Sequence, residues 1–302
     1  MKKNRRSFLQ VAGTFTAGSI LFPQLACNSN TSTAKDVVSA VVKTPKAGID
    51  KFGIQLWSLK DDMYKDPKGV LKQVADLGYQ QIESFDGEQG MFWDMGHLGF
   101  KKYMDELGLN VVASHCDINT DFETKAAQAA EIGMEYLVCP WIGPQTSMEN
   151  WKKVTDQFNA CGAICKKNGI KFAYHNHAYS FRAFSGMIPH DFIMDHTDPE
   201  LVEHEMDIYW VVTGGADPIE FLQKYPNRFR LCHIKDRMKD AGDEEQASCS
   251  LGKGSINFSK ILKVAKENGM KYFFVEQERY DGTTPLKSLA DNAAYMKGLV
   301  LS

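Results

Sequence analysis

Apolar and polar positions along this chain follow two periods that take turns. From about residue 50 onward, stretches with an apolar residue every three or four positions give way to short apolar runs, and a glycine repeatedly stands at the change. Glycine tolerates the left-handed backbone that ends a helix, so each junction predicts helix, cap and strand in that order. Ala75-Asp76-Leu77-Gly78 leads into Tyr79-Gln80-Gln81-Ile82-Glu83, and Asp105-Glu106-Leu107-Gly108 leads into Leu109 to His115. Glu131-Ile132-Gly133 precedes Met134 to Pro140, Lys167-Asn168-Gly169 precedes Ile170 to His177, and Glu267-Asn268-Gly269 precedes Met270 to Glu276. These five junctions share one punctuation.

Phe52 to Trp57, Leu201 to Asp207 and Phe229 to Lys235 read as three further strands, each followed by a segment long enough for a helix. Eight such units in about 250 residues predict an α/β fold, a single-domain (β/α)8 TIM barrel with parallel strands. An open doubly wound sheet is the rival. It has fewer strands and a glycine-rich phosphate loop after the first, whereas here Ser58-Leu59-Lys60-Asp61-Asp62 follows the first strand.

The chain has 302 residues, 43% hydrophobic and 24% charged, enough for one large core. Its first 27 residues read as an export leader: Lys2, Lys3, Arg5 and Arg6 precede an uncharged run, Val11 to Phe22, that is too short for the ~20 residues of a membrane span. Arg5-Arg6-Ser7-Phe8-Leu9 resembles a twin-arginine signal, an ordinary secretory leader being the alternative. Cys27, after Gln24-Leu25-Ala26, is a candidate lipidated cysteine, so the expected location is periplasmic or membrane-anchored. Residues 28–48 are polar and read as a linker, leaving 49–302 for the barrel. Without the leader's four basic residues the remainder carries 31 bases against 38 acids. That acidic balance, with no basic stripe, argues against a nucleic-acid partner. Cys116, Cys139 and Cys232 sit in apolar runs and read as buried thiols; Cys161 and Cys165, four apart on a helix, leave a disulfide open.

In such a barrel the chemistry sits at the C-terminal ends of the strands. Those ends carry Gln55 and Trp57, Glu83, His115, Trp141, His175 and His177, Asp207, His233 and Lys235, and Glu276 with Glu278. A lone histidine at a strand end is commonly structural, but six strands placing His, Asp or Glu on one rim is a pattern that core packing does not require. Residues i and i+2 share a face, so His177, Asp207, His233 and Glu276 are expected to converge from strands five to eight. Two imidazoles and two carboxylates suit one divalent ion, Mn2+ or Zn2+ first, with Co2+ or Fe2+ compatible and Mg2+ or Ca2+ less so.

At these residues the chain resembles the xylose isomerase-like barrel superfamily, in particular the sugar phosphate isomerases/epimerases. The resemblance rests on Gly53-Ile54-Gln55-Leu56-Trp57-Ser58-Leu59, Tyr174-His175-Asn176-His177, Met206-Asp207-Ile208-Tyr209-Trp210, Gly214-Gly215-Ala216-Asp217-Pro218, His233-Ile234-Lys235-Asp236, Gly252-Lys253-Gly254 and Phe274-Val275-Glu276-Gln277. It implies a metal held by an acidic residue on strand five, an aspartate on six, a histidine on seven and a glutamate on eight. Asp207, His233 and Glu276 match the last three, while strand five departs, with His177 expected to replace the acid.

The resemblance further implies proton removal beside a carbonyl through an enediolate, with Glu276 as base and the second acid or base drawn from Glu83, His115, His175 or Lys235. The expected activity is isomerisation or epimerisation of an unphosphorylated keto-sugar. The alternatives are elimination of a β-substituent from a 3-keto-glycoside, and a non-catalytic sugar-binding surface protein. A metal-cluster endonuclease on the same barrel is disfavoured by the acidic balance. Gln55, Trp57, Trp141, Trp210 and Arg237 are the expected substrate contacts, and assembly into a homo-oligomer is left open.

Overall fold

The computed structural model describes residues 48–302, so the leader, Cys27 and nearly all of the linker lie outside the described residues. Eight parallel strands close into a barrel: β1 (Gly53–Gln55), β2 (Gln81–Phe85), β3 (Asn110–His115), β4 (Tyr136–Cys139), β5 (Lys171–His175), β6 (Val202–Asp207), β7 (Phe229–Ile234) and β8 (Tyr272–Val275). Each pairs with the strands before and after it in sequence, and β8 closes onto β1 through Gly53↔Phe274 and Ile54↔Val275. The longer helices alternate with them: α1 (Pro67–Asp76), α2 (Gly96–Leu107), α3 (Phe122–Glu131), α4 (Met148–Lys167), α5 (Pro189–His196), α6 (Pro218–Lys224), α7 (Phe258–Glu267) and α8 (Pro285–Gly298).

Local signals set these boundaries. Asp66, Ser147 and Thr284 cap α1, α4 and α8 by accepting from a backbone N–H inside the first turn, with proline opening α1 and α8. Gly108, at φ 69°, closes α2. The strands are shorter than their apolar runs. β1 stops at Gln55 because its side chain accepts from the Trp57 N–H and starts a 3-10 helix over Leu56–Leu59. β5 stops at His175 and β8 at Val275, so His177 and Glu276 stand just past the strands, on segments that hydrophobicity alone does not separate from them.

Two apolar layers hold the barrel. A small inner cluster, including Val112, Tyr136, Val138, Leu231 and Phe274, fills its lower interior, and a much larger one seals the strands against the helices. Gly53 marks the closure point, where an added Cβ would stand 2.6 Å from both the Gln81 carbonyl oxygen and Phe274 Cδ1. In the outer layer His190 on α5 is fully buried, its ring stacked at 4.9 Å on Phe181 and 5.6 Å on Phe229, and neither ring nitrogen has a hydrogen-bond partner. Burial therefore holds it neutral, pushing its pKa down to about 3, and does the same to its neighbour His204.

Gly53→Ala is expected to destabilise the fold by about 1–3 kcal/mol through overpacking. Gly99→Ala, on α2 where the nearest atom lies 3.7 Å from an added Cβ, is expected to stabilise it by about 0.5–1 kcal/mol. Urea midpoints at unchanged slope read both, and equal shifts would reject the steric account of Gly53. For His190 the folded pKa lies below the unfolded value of about 6.5. Its contribution is thus complete above that value and drains at about 1.4 kcal/mol per pH unit as pH falls toward 3. His190→Leu should shrink the stability gap between pH 8 and pH 5; an unchanged gap contradicts the burial argument.

Candidate active site

A cavity of about 450 Å³ opens where the strands end, walled by Trp57, Phe85, Trp141 and Trp210 and reaching down to His115, His175 and Glu276. At its base the ends of β5 to β8 bring four donor atoms together. His233 Nδ1 lies 3.2 Å from His175 Nε2, 3.2 Å from Glu276 Oε2 and 3.6 Å from Asp207 Oδ2, and His175 Nε2 lies 3.5 Å from Asp207 Oδ2.

The other side of each donor group is already held. His175 Nδ1 donates to the Pro140 carbonyl at 3.3 Å, which fixes the tautomer and leaves a lone pair on Nε2. His233 Nε2 donates to Glu83 Oε2 at 2.6 Å, which leaves the lone pair on Nδ1. Asp207 Oδ1 accepts from the Trp210 N–H at 3.0 Å, while Asp207 Oδ2 is buried without a hydrogen-bond partner. Asn176 brackets the Asp207 backbone, accepting from its N–H and donating to its carbonyl. These residues fit a divalent ion. Ligands about 2.1 Å from one ion at tetrahedral angles stand roughly 3.4 Å apart, close to the distances from His233 Nδ1 to His175, Asp207 and Glu276 and from His175 to Asp207.

Electrostatics points the same way. Glu83, Glu205, Asp207 and Glu276 are four buried carboxyl groups, and among the described residues Lys235 is the one permanent cation fully buried with them. Burial raises the Asp207 and Glu276 carboxyls, but the histidine rings beside them and the Lys235 charge outweigh it and hold both well below the usual range. Burial lowers His233, yet Glu205, Glu276 and Glu83 together lift its proton affinity well above the ordinary imidazole value. A field that draws a proton to His233 draws a divalent cation to the same spot.

Beneath the donors, His115 Nε2 contacts Glu205 Oε2 at 2.9 Å, and Gln55 donates to Glu83 Oε2 at 2.9 Å. Burial and the nearby Glu83 charge push Glu205 far up, whereas His115 and His233 overcome burial at Glu83 and hold it down, so Glu205 keeps a proton and Glu83 stays ionised. Above them Lys235, fully buried, joins Glu276 at 3.4 Å and also binds Glu278, which accepts from Trp57 Nε1 at 3.1 Å. Its ammonium lies 4.9 Å over the rings of Tyr209 and Trp210.

The loop after β7 sets this upper group in place. The Asp236 carboxylate accepts from the backbone N–H groups of Arg237, Gly252, Gly254 and Ile256. A Cβ at Gly254 would meet Asp236 Oδ1 at 2.2 Å. Arg237 donates to the carbonyls of Glu244 and Gly242, and Ser248 Oγ accepts from the Glu278 and Arg279 N–H groups.

The sequence-predicted residues therefore divide. Asp207, His233 and Glu276 meet as expected, while His175 rather than His177 stands beside them, 3.2 Å from His233 and 3.5 Å from Asp207, and also groups with His115, Glu205 and His233. Because β5 ends at His175, the alternation does not carry through to His177. Its ring instead packs against Trp141, Tyr179 and Trp210, with Nδ1 buried and unpartnered. Trp57, Trp141, Trp210, His115 and Glu276 line the cavity. Gln55, Glu83 and Lys235 are fully buried behind it, and Arg237 is tied to the loop. Glu205 was missed, and Glu278 was placed at its strand end without a role. Glu205 lies two residues before Asp207 and so shares its face, and Glu278 lies two after Glu276. The six described cysteines are free thiols, Cys161 and Cys165 among them.

A family model described as xylose isomerase-like TIM barrel matches residues 71–299. Among curated relatives, an inosose dehydratase of Clostridium beijerinckii is 28% identical over 236 residues, covering 72% of this chain and 75% of that one. Another, of Clostridium perfringens, is 33% identical over 145 residues, a stretch spanning 43% of this chain and 48% of the relative. A crystal structure from Parabacteroides distasonis, described as a sugar phosphate isomerase/epimerase, superposes with TM-score 0.70 at 32% identity, covering 81% of this chain and 96% of that one. An L-ribulose 3-epimerase shares the fold at TM-score 0.61 and 15% identity, covering 82% of this chain and 93% of that one. With the barrel closed and the family model spanning α1 to α8, the chain belongs to the xylose isomerase-like TIM barrel family.

Proposed function

We propose that this protein is a divalent-metal-dependent enzyme that takes a proton from the carbon beside the carbonyl of an unphosphorylated keto-sugar and completes the reaction by expelling a β-substituent. The observation that supports it most is the meeting of two imidazole lone pairs and two carboxylate oxygens at the ends of β5 to β8. His175, Asp207, His233 and Glu276 hold the ion, for which Mn2+ or Zn2+ suits the mixed nitrogen and oxygen set and Co2+ or Fe2+ is compatible. When bound, the ion polarises the carbonyl and offsets the negative charge that grows on its oxygen.

The chain's own groups do the rest. Glu276 lines the cavity and receives the proton from carbon. As the carbon–carbon double bond forms, the bond to the β-substituent breaks and its electrons leave with the oxygen. That oxygen takes back from Glu276 the proton received from carbon, which returns the carboxylate to its starting state, while Lys235, whose proton the neighbouring carboxylates hold firmly, positions Glu276 and Glu278. These groups all follow β7 and β8, one side of the substrate, an arrangement suited to elimination; epimerisation needs a base on each face. The inosose dehydratase relatives favour the same reading. A second reading, isomerisation or epimerisation, is favoured by His177, which faces the cavity from the β5 side. Among the residues lining the cavity none is a lysine or arginine, so a phosphate finds no counter-charge there. An exported location, read from Arg5-Arg6 and Cys27, agrees with an unphosphorylated sugar.

Elemental analysis of purified protein should find close to one divalent ion per chain. His175→Ala and Asp207→Asn should lose most of it, and His177→Ala should retain it; the reverse pattern would return His177 to the metal. In D2O, with a panel of keto-sugars and keto-glycosides, the metal-loaded protein should release the β-substituent, and Glu276→Gln should slow that release by about 10²–10⁴-fold. Deuterium appearing in unreleased sugar instead selects isomerisation. Metal-free protein that binds sugars without any exchange leaves a binding protein.

A further inference from the structure

The cavity spans both halves of the barrel mouth. Its donor cluster comes from β5 to β8, whereas Phe85 ends β2 and Trp57, Asp86, Asp117, Asn119 and Trp141 follow β1 to β4, and none of these six contributes a donor atom to that cluster. A pyranose with its hydroxyls fills roughly 200 Å³ at interior packing density. The 450 Å³ cavity thus has room for a second ring beside the first.

The β1–β4 half has the surface that such a ring requires. Trp57 and Trp141 are 38% and 57% exposed, and among the described residues they are the only aromatic side chains counted with the exposed large apolar ones. Both line this cavity. An exposed indole beside hydroxyl-binding groups is a surface for the apolar face of a sugar. The polar rim is held in place. Lys125 Nζ lies 2.6 Å from Asp86 Oδ2 and donates to the Asp117 carbonyl, Asp117 accepts from the Asn119 N–H, and Gln157 donates to Asn119 Oδ1. Asp86, Asp117, Glu276 and Glu278 on the wall, without lysine or arginine, select a neutral occupant over an anionic one.

We infer that the β1–β4 half is a second sugar subsite, so that the substrate is a neutral two-ring glycoside whose outer ring stacks on Trp141 with its hydroxyls toward Asp86, Asp117 and Asn119. This rests on the reading of the donor cluster as the site of the reacting keto-sugar ring.

The test is titration calorimetry of the full chain loaded with Mn2+, using glucose and cellobiose as neutral, unreactive probes. Cellobiose should bind about tenfold or more tightly than glucose. Trp141→Ala should bring the two affinities to within about twofold of each other, and Asn119→Ala should narrow the gap in the same direction. Circular dichroism confirms that each variant is folded; should Trp141→Ala not fold, Asn119→Ala decides. Equal affinity of the two sugars, no binding of either, or a Trp141→Ala variant that weakens both alike overturns the subsite. Deuterium exchange into a keto-monosaccharide is read separately. Cellobiose preference without exchange keeps the subsite and discards the chemistry, and exchange without cellobiose preference does the opposite.

Discussion

His233 stands between two pairs of carboxylates, with Glu83 and Glu205 on its Nε2 side and Asp207 and Glu276 on its Nδ1 side. So much negative charge cannot stay out of water without compensation, because uncompensated burial costs several kcal/mol per ion. The structure meets that demand in two ways, since Glu205 keeps its proton and Lys235 fixes Glu276, and the donors of His175, His233, Asp207 and Glu276 could hold a divalent cation as a third. Removing any one of these compensations shifts the load onto the others, which ties the site's geometry to its charge balance.

The barrel explains why these groups meet at all. Consecutive parallel strands put Asp207 level with His233 and Phe274 level with His233, so three neighbouring strand ends share one height. The apolar interior below gives way to polar groups at that height, and the surrounding loops fill in behind them. Pro140, past β4, fixes the tautomer of His175, and Ser58, in the 3-10 turn after β1, accepts from the Gln277 N–H. Side chains from separate βα units therefore aim one another, and the precision of the site belongs to the closed ring rather than to any single loop.

Much of this was legible in the order of residues. Glycine-terminated helices followed by apolar runs reveal the eight units, and strand-end chemistry locates Asp207, His233 and Glu276. The parts that were not legible have two physical causes. Where a strand stops depends on a local hydrogen bond, such as Gln55 accepting from Trp57 N–H, and hydropathy does not register it. That is why period-two reasoning chose His177 when the strand had already ended at His175. Burial was the other blind spot. Gln55 and Arg237 were expected to touch substrate and Glu83 and Lys235 to move a proton, yet each is turned toward another protein group behind the cavity or in the loop after β7.

The glycine-flanked segment Gly252-Lys253-Gly254 shows the same lesson from the opposite side. Its N–H groups converge as they do in loops that cradle a phosphate, but the anion at their centre is the Asp236 carboxylate, built into the chain and nearly touching the backbone of Gly254. A loop that carries its own anion is closed to anions from solution. The turn thus has the outline of a phosphate-binding loop with its donors already spent, and it offers neither of these N–H groups to a phosphate from solution.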